Sequence, residues 1–211
     1  MKCLALSLVL LVSTLAAQVS RADDKFEPFG YLTVGGSYGR DLMDGTFDDA
    51  WGGVFSANAH TKIGDTWGAN AHLGYRFNRF LAVEAEYEWM KDFHMRVDGF
   101  AIGKMQTQVA TANLKVVAPY GMVEPWFSAG FGMIFNSVDK TVPVDWDVAT
   151  GVFTTKFGAG VDFWLSKNFV LTTGATVVAN AAKVTGPGFA GGRAGEGVNY
   201  MAAQLGFGWR F

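Results

Sequence analysis

The chain has 211 residues, including 27 glycines, 18 phenylalanines and only 5 prolines, and half of its residues are hydrophobic. Its 17 basic and 19 acidic residues give a net charge of -2, so the composition gives no reason to expect nucleic acid as a partner. The length predicts one domain or two at most, and the glycine and phenylalanine content favours close-packed strands over a helical bundle.

The N-terminus has the features of an export signal. Lys2 supplies a positive charge, residues 4–17 form an apolar run too short to span a bilayer, and Ser20 and Ala22 place small residues where a signal peptidase inspects the chain. We expect cleavage after Ala22, which gives a signal peptide at 1–22 and a mature domain at 23–211; an uncleaved anchor is the alternative. Cys3 precedes the apolar run, so the mature chain has no thiol or disulfide.

The mature chain shows apolar and polar residues in alternation, which is typical of half-buried strands. Eight strands are predicted, at residues 29–39, 70–77, 81–89, 105–117, 123–136, 152–165, 169–180 and 199–211. Long segments at about 40–66, 92–103, 139–151 and 185–197 separate them, and these alternate with short turns near residues 78–80, 120–121 and 166–168. No apolar run of 18 residues follows the signal, so no transmembrane helix is expected.

The charges of predicted strands 2 to 8 fall on the face opposite the apolar residues. In the hairpin at 70–89, for example, Leu73 and Tyr75 mark the apolar face, and three glutamates mark the other. The inward face collects His72, Arg76, Glu84, Glu86, Glu88, Lys115, Glu124, Lys156, Asp162 and Arg210. A lysine or arginine on the lipid face at mid-bilayer costs roughly 2 to 4 kcal/mol, and a water-soluble barrel would show the reverse pattern. The sequence therefore predicts an all-β fold, an eight-stranded antiparallel up-and-down transmembrane β-barrel.

The alternation of long and short connections predicts the orientation of this barrel. Transmembrane barrels have long extracellular loops and short periplasmic turns. Both termini are therefore expected in the periplasm, and the even number of strands closes the sheet without leaving an edge.

Four segments carry a resemblance to a known family. They are LGYRFNRFLAVEAEYEW, PYGMVEPWFSAGFG, FGAGVDFWLSKNFVL and the ending LGFGWRF, and they are similar to the eight-stranded outer-membrane β-barrels of Gram-negative bacteria, the group of the OmpA barrel domain, OmpX and OmpW. The resemblance implies an outer-membrane location, with outer-membrane lipid and lipopolysaccharide as partners. It also implies that Phe207, Trp209 and Phe211 form the signal read by the barrel-assembly machinery.

The inward charges allow two interpretations. They form either a mutually neutralised plug, because an eight-stranded interior is barely wide enough for its own side chains, or an ion-conducting path. The predicted turns place His72 opposite Glu86, Asp162 opposite Thr172, and Lys115 opposite Trp126. Trp126 and Trp164 point inward near the short turns, where they either close the lumen or line a small apolar pocket.

Neither a catalytic site nor a metal site is predicted. A lipid-modifying enzyme of this fold would need a serine close to a histidine, and none of His60, His72 and His94 has one two residues away. The first long segment contains Asp41, Asp44, Asp48 and Asp49, but it lacks the spacing of an EF-hand, and surface loops are commonly acidic. The glycine-rich segment at 185–197 is expected to be a flexible loop, so no cofactor is expected.

The expected function is therefore that of a non-enzymatic surface protein, with long extracellular loops on a plugged barrel scaffold and a loop ligand that the sequence does not identify. The alternative is a narrow porin-like channel for ions or small apolar solutes. In that case Glu84, Glu86 and Glu88 would make passage cation-preferring.

Overall fold

The computed structural model describes residues 26–42, 61–97, 100–140, 151–180 and 199–211. Within these residues the chain forms nine strands: β1 (Phe29–Asp41), β2 (Thr61–Ile63), β3 (Thr66–Arg76), β4 (Leu81–Val97), β5 (Phe100–Val117), β6 (Val123–Lys140), β7 (Val152–Trp164), β8 (Phe169–Asn180) and β9 (Tyr200–Arg210). None of the described residues forms a helix long and apolar enough to cross a membrane. The predicted signal peptide lies outside the described residues.

Eight of the strands form one closed antiparallel sheet. β1 pairs with β3, each of β3 to β8 pairs with the next strand, and β9 returns to pair with β1. The short strand β2 pairs with the far part of β4, beyond the residues that pair with β3. Closure leaves no long strand with an unpaired edge. The predicted eight-stranded antiparallel barrel is confirmed.

Burial alternates along the strands as the pleat requires. In β9, Tyr200, Ala202 and Gln204 are buried, whereas Leu205 and Phe207 are 58% and 60% exposed. The outward face of the barrel is thus built from exposed apolar side chains, and polar side chains lie inside. This arrangement is stable only where the surrounding medium is apolar, because contact with lipid removes the outward side chains from water.

Three short turns lie at one end of the barrel, which we name the turn end; the opposite end is named the loop end. In the turn after β3, the Asn78 side chain accepts hydrogen bonds from the backbone N–H groups of Phe80 and Leu81, at 2.8 and 2.9 Å. The turn between β5 and β6 is closed by a bridge between Tyr120 and Val123, and its first central residue, Gly121, has φ of +71°. A glycine is favoured there because a side chain disfavours positive φ.

The prediction of a polar loop at 92–103 is wrong. β4 and β5 continue as a hairpin to Val97 and Phe100, with His94 opposite Lys104. A bulge between Met90 and Phe93 places two residues of β4 opposite one of β5 and shifts the alternation. The sequence misled because a strand that has left the bilayer can expose charged side chains to water without ending. β6 also runs beyond its predicted end, to Lys140.

Candidate functional site: the barrel lumen

At the turn end, the lumen contains a buried ion pair among aromatic rings. Arg76 donates to both carboxylate oxygens of Glu124, at 2.6 and 3.3 Å, and the Trp164 indole N–H donates to Glu124 Oε2 at 2.7 Å. Arg76 also donates to the backbone carbonyl oxygens of Asn78 and Arg79, so its guanidinium holds the neighbouring turn. The Trp164 ring lies inside the barrel, as predicted, and its centre is 6.0 Å from that of the Phe29 ring.

Above this pair, Lys115 joins two carboxylates from different strands. Its Nζ lies 2.9 Å from Asp162 Oδ2 and 3.3 Å from Glu84 Oε1. The Tyr31 hydroxyl donates to Glu84 at 2.6 Å, and the Thr172 hydroxyl donates to Asp162 at 2.6 Å. Asp162 does lie opposite Thr172, as the predicted turn requires. All of these charged side chains are buried, so each charge depends on its partners.

The predicted partner of Lys115 is wrong by two residues along β6. Lys115 lies opposite Ser128, and Trp126 lies opposite Val117. The cause is the turn, which is centred on Gly121 and Met122 and not on Tyr120 and Gly121. The ammonium group still lies 4.9 Å from the centre of the Trp126 ring, close enough for a cation–π contact.

A second cluster lies towards the loop end and is centred on Lys156. Its Nζ lies 2.6 Å from Glu86 Oε1 and 2.7 Å from Glu88 Oε2. Asn113 donates to Glu86 at 2.9 Å, and the Tyr200 hydroxyl donates to Glu88 at 2.9 Å. Lys156 is 2% exposed and Glu88 is fully buried. An isolated charge would be strongly destabilised in such surroundings, so the charges of this cluster depend on one another.

His72 lies between the two clusters. It is opposite Glu86 in the register, as predicted. Its Nδ1 is 3.6 Å from Glu84 Oε2 and its Nε2 is 3.6 Å from Glu86 Oε1. Neither nitrogen is hydrogen-bonded to a serine or threonine hydroxyl of the described residues. The imidazole thus links two carboxylates electrostatically, an arrangement that lacks the nucleophile needed for acyl transfer.

Towards the loop end the lumen contains a group of buried apolar side chains that the sequence did not predict, next to the buried, hydrogen-bonded Thr107 and Asn136. Six side chains from four strands form this group, and each is at most 2% exposed: Met90, Phe93, Met95, Met105, Ile134 and Val178. We name this group the apolar layer. It was missed because half of it lies in or next to the segment predicted as a loop, and because the bulge in β4 changes which residues point inward.

The tyrosines and amides of the network were also missed. Tyr31 and Tyr200 each donate to a buried glutamate, and Gln204 donates to Glu86 and Glu88 at 3.3 and 3.2 Å. The phase of β1 could not be assigned from a stretch without charges, which hid Tyr31. For Tyr200 and Gln204 a signal existed, because both occupy the face of the last strand opposite its outward hydrophobic residues.

The other residues considered for chemistry lie elsewhere or are not described. His94 is exposed on the outer surface of β4. His60, Asp44, Asp48 and Asp49 fall outside the described residues, and for Asp41 the structure gives only the backbone. Across the described ranges, no three His, Cys, Asp or Glu side chains are grouped to hold a metal ion.

The three residues predicted as an assembly signal share the outward face of the last strand. Phe207, Trp209 and Phe211 are 60%, 51% and 60% exposed, and the rings of Trp209 and Phe211 lie 5.8 Å apart. The backbone N–H of Phe211 donates to the carbonyl of Gly30 at 2.9 Å, which fixes the end of the chain to β1. The row of rings faces the surrounding medium and does not contribute to the lumen.

A family comparison agrees with this architecture. The family described as "Outer membrane protein beta-barrel domain" matches residues 7–211. The chain belongs to this family. As a member of the outer membrane protein β-barrel family it is an outer-membrane protein, and the family resemblance predicted from its motifs is confirmed.

Solved structures show the same fold at low sequence identity. Neisserial surface protein A aligns with a TM-score of 0.56 and 12% identity over 87% of this chain and 97% of that chain. OprG from Pseudomonas aeruginosa gives 0.58 and 14%, over 87% and 96%. AlkL, solved in lipid bilayers, gives 0.57 and 14%, over 90% and 93%. A search of curated proteins found no match. At these identities the likeness establishes the fold alone.

Proposed function

We propose that this outer-membrane barrel is a non-enzymatic scaffold with a closed lumen, and that its function resides in the surface it presents outside the cell. Transmembrane barrels have their short turns in the periplasm, so the turn end and both termini are assigned to the periplasm and the loop end to the exterior. The ligand of the loops is an unidentified extracellular molecule.

The buried side chains inside the barrel support the proposal of a closed scaffold. From the turn end upward it contains the Arg76–Glu124 pair, the Lys115 and Lys156 clusters and then the apolar layer. An ion would have to displace buried salt bridges and then cross a layer of apolar side chains without its hydration shell. Each step is costly, since an unpaired charge in such surroundings is strongly destabilised.

The projecting strands support a role for the outer surface. Beyond the level of Trp89, the outward positions of β4 and β5 change from apolar to charged, with Lys91, Arg96 and Lys104 exposed. Ten residues of a tilted strand span roughly 25 Å of bilayer, so these side chains lie at and above the outer headgroups. We accordingly propose outer-leaflet lipid and lipopolysaccharide as neighbours of this surface, and the barrel-assembly machinery as a partner during biogenesis.

One observation favours the alternative, a narrow channel for ions or small apolar solutes. Three of the six residues in the apolar layer are methionines, whose unbranched side chains repack more readily than those of other core residues. A layer that repacks would admit a small apolar solute from the loop end. For ions, the same path would be lined by Glu84, Glu86 and Glu88, which predicts a preference for cations.

Single-channel recording tests the proposal directly. The chain from Asp23 to Phe211 is refolded, its folding is checked by the heat-dependent shift in gel mobility, and it is inserted into a planar bilayer. A closed scaffold gives no discrete current steps. The variant Phe93→Ala has a smaller apolar layer and serves as a control for the detection of an enlarged lumen. Reproducible steps from the unmodified barrel would contradict the proposal. Loss of their cation preference on changing Glu84, Glu86 and Glu88 to Gln would then assign the channel function to these acids.

A further inference from the structure

A vestibule of about 580 Å³ opens at the turn end of the barrel. Four cationic side chains line it, namely Arg76, Arg79, Lys167 and Arg210, and Glu124 is the one carboxylate among the described residues of its wall. We propose that this vestibule binds an oxyanion of the phosphate class, either as the free ion or as part of a lipid headgroup. Its volume is within the range of small-molecule sites, roughly 300 to 1,000 Å³.

The single carboxylate does not neutralise the wall. Glu124 accepts hydrogen bonds from Arg76 and from the Trp164 indole, so its charge is matched by one arginine. Lys167 and Arg210 form no ion pair with any carboxylate of the described residues. They come from different elements, the turn after β7 and the end of β9, and both line the vestibule.

Arg210 is positioned to act as the main ligand. Its Cζ lies 3.9 Å from the centre of the Phe29 ring, so the guanidinium packs against the aromatic face. Phe29 is buried and is itself held by the Trp164 ring. Packing on a ring restricts the guanidinium without using its N–H groups, which keep the fork geometry that matches two oxygens of a phosphate.

Buried aromatic rings and the Arg76–Glu124 pair lie above the vestibule. Phe29 and Tyr31, whose rings lie 6.1 Å apart, are both buried above it, as is Ala82. An anion that reaches Arg210 therefore meets apolar surface and the occupied Arg76–Glu124 pair. A tetrahedral, multiply charged oxyanion suits cations that approach from several sides better than a single carboxylate does.

Phosphorus NMR of the refolded chain in a non-ionic detergent tests the proposal. Inorganic phosphate and glycerol 3-phosphate, the latter as a headgroup probe, are titrated separately at low ionic strength. We expect saturable line broadening, and a loss of affinity of about tenfold or more in Arg210→Gln, because hydrogen bonds between charged groups are lost. Arg210→Lys keeps the charge but not the fork geometry of the guanidinium, so its affinity should lie between those of the unmodified protein and Arg210→Gln. Tighter binding of glycerol 3-phosphate would identify a headgroup as the source; equal or weaker binding would identify the free ion.

Lys104→Gln is the matched control, because it removes the same charge from an exposed position at the loop end and should leave affinity unchanged. A similar loss in Lys104→Gln and Arg210→Gln, or the absence of saturable binding to the folded protein, would overturn the proposal. If Arg210→Gln fails to fold, Lys167→Gln in the turn replaces it, with an expected loss of about threefold or more. An unchanged affinity in that variant would also overturn the proposal.

Discussion

Removal of the Lys156 ammonium is the most informative test of the luminal network. Lys156→Met keeps most of the side-chain volume but leaves Glu86 and Glu88 buried without their shared cation. The charges lie 2.6 and 2.7 Å apart, and at an effective dielectric constant of about 20 each contact contributes about 6 kcal/mol of Coulomb attraction. The cost of desolvating Lys156 offsets much of this attraction, so the net loss of unfolding free energy is expected to be about 3 to 5 kcal/mol.

The assay is urea unfolding in lipid vesicles, followed by tryptophan fluorescence. Lys104→Met is the matched control, because Lys104 is exposed on β5, and it should change the unfolding free energy by less than about 1 kcal/mol. The double variant Lys156→Met with Glu88→Gln should regain about 1 to 3 kcal/mol, since it removes one of the stranded charges. If Lys156→Met costs no more than Lys104→Met, the clusters do not contribute to stability, and the argument for a lumen held closed by buried ion pairs is refuted.

Three further predictions concern packing, the lipid face and assembly. In Gly174→Ala the new Cβ would lie 2.6 Å from the Trp126 ring, so urea unfolding should show a loss of about 1 to 3 kcal/mol in unfolding free energy. In the control Gly36→Ala the nearest atom to the new Cβ is 3.9 Å away, so this variant should be almost neutral. Equal effects of the two variants would refute the close approach at Gly174. Leu205→Lys on the outward face should cost about 2 to 4 kcal/mol in vesicles, and a cost below that of Leu205→Met would contradict the placement of this face in lipid. Phe211→Ser should reduce the amount of barrel in the outer membrane of cells and leave refolding into vesicles nearly unchanged; normal assembly in cells would exclude a role of this ring in the signal.

The strand pattern could be predicted well, because one face of each strand must be apolar. The predicted limits of strands 7 and 8 differ by no more than a residue or two from those of β8 and β9. The pairs across the turns at residues 78–80 and 166–168 were also predicted, since register follows from the turn. The partner of Lys115 was not predicted correctly. Two turn positions around Gly121 fit the same alternation of apolar and polar residues, and only the folded turn selects one of them.

The extension of β4 and β5 could not be predicted from polarity. In the bilayer the polar side chains of a strand point inward, but beyond the bilayer they point outward: His94 and Arg96 are exposed, whereas Phe93 and Met95 are buried. The charged residues at 92–103 therefore resembled a loop. Whether such residues pair depends on the neighbouring strand. The apolar layer depends on the bulge in β4, which no local sequence pattern predicts.

The sequence by itself determined the class of fold, the number of long strands and the face of each strand that meets lipid. These follow from local alternation and from the cost of placing charge in an apolar medium. The tertiary structure alone decided which charges meet. Arg76 pairs with Glu124 and Lys115 pairs with Asp162, over separations of 48 and 47 residues along the chain. Such contacts are made across the lumen between strands that are not hydrogen-bonded to each other, so they depend on the closure and stagger of the whole barrel, which no single stretch of sequence encodes.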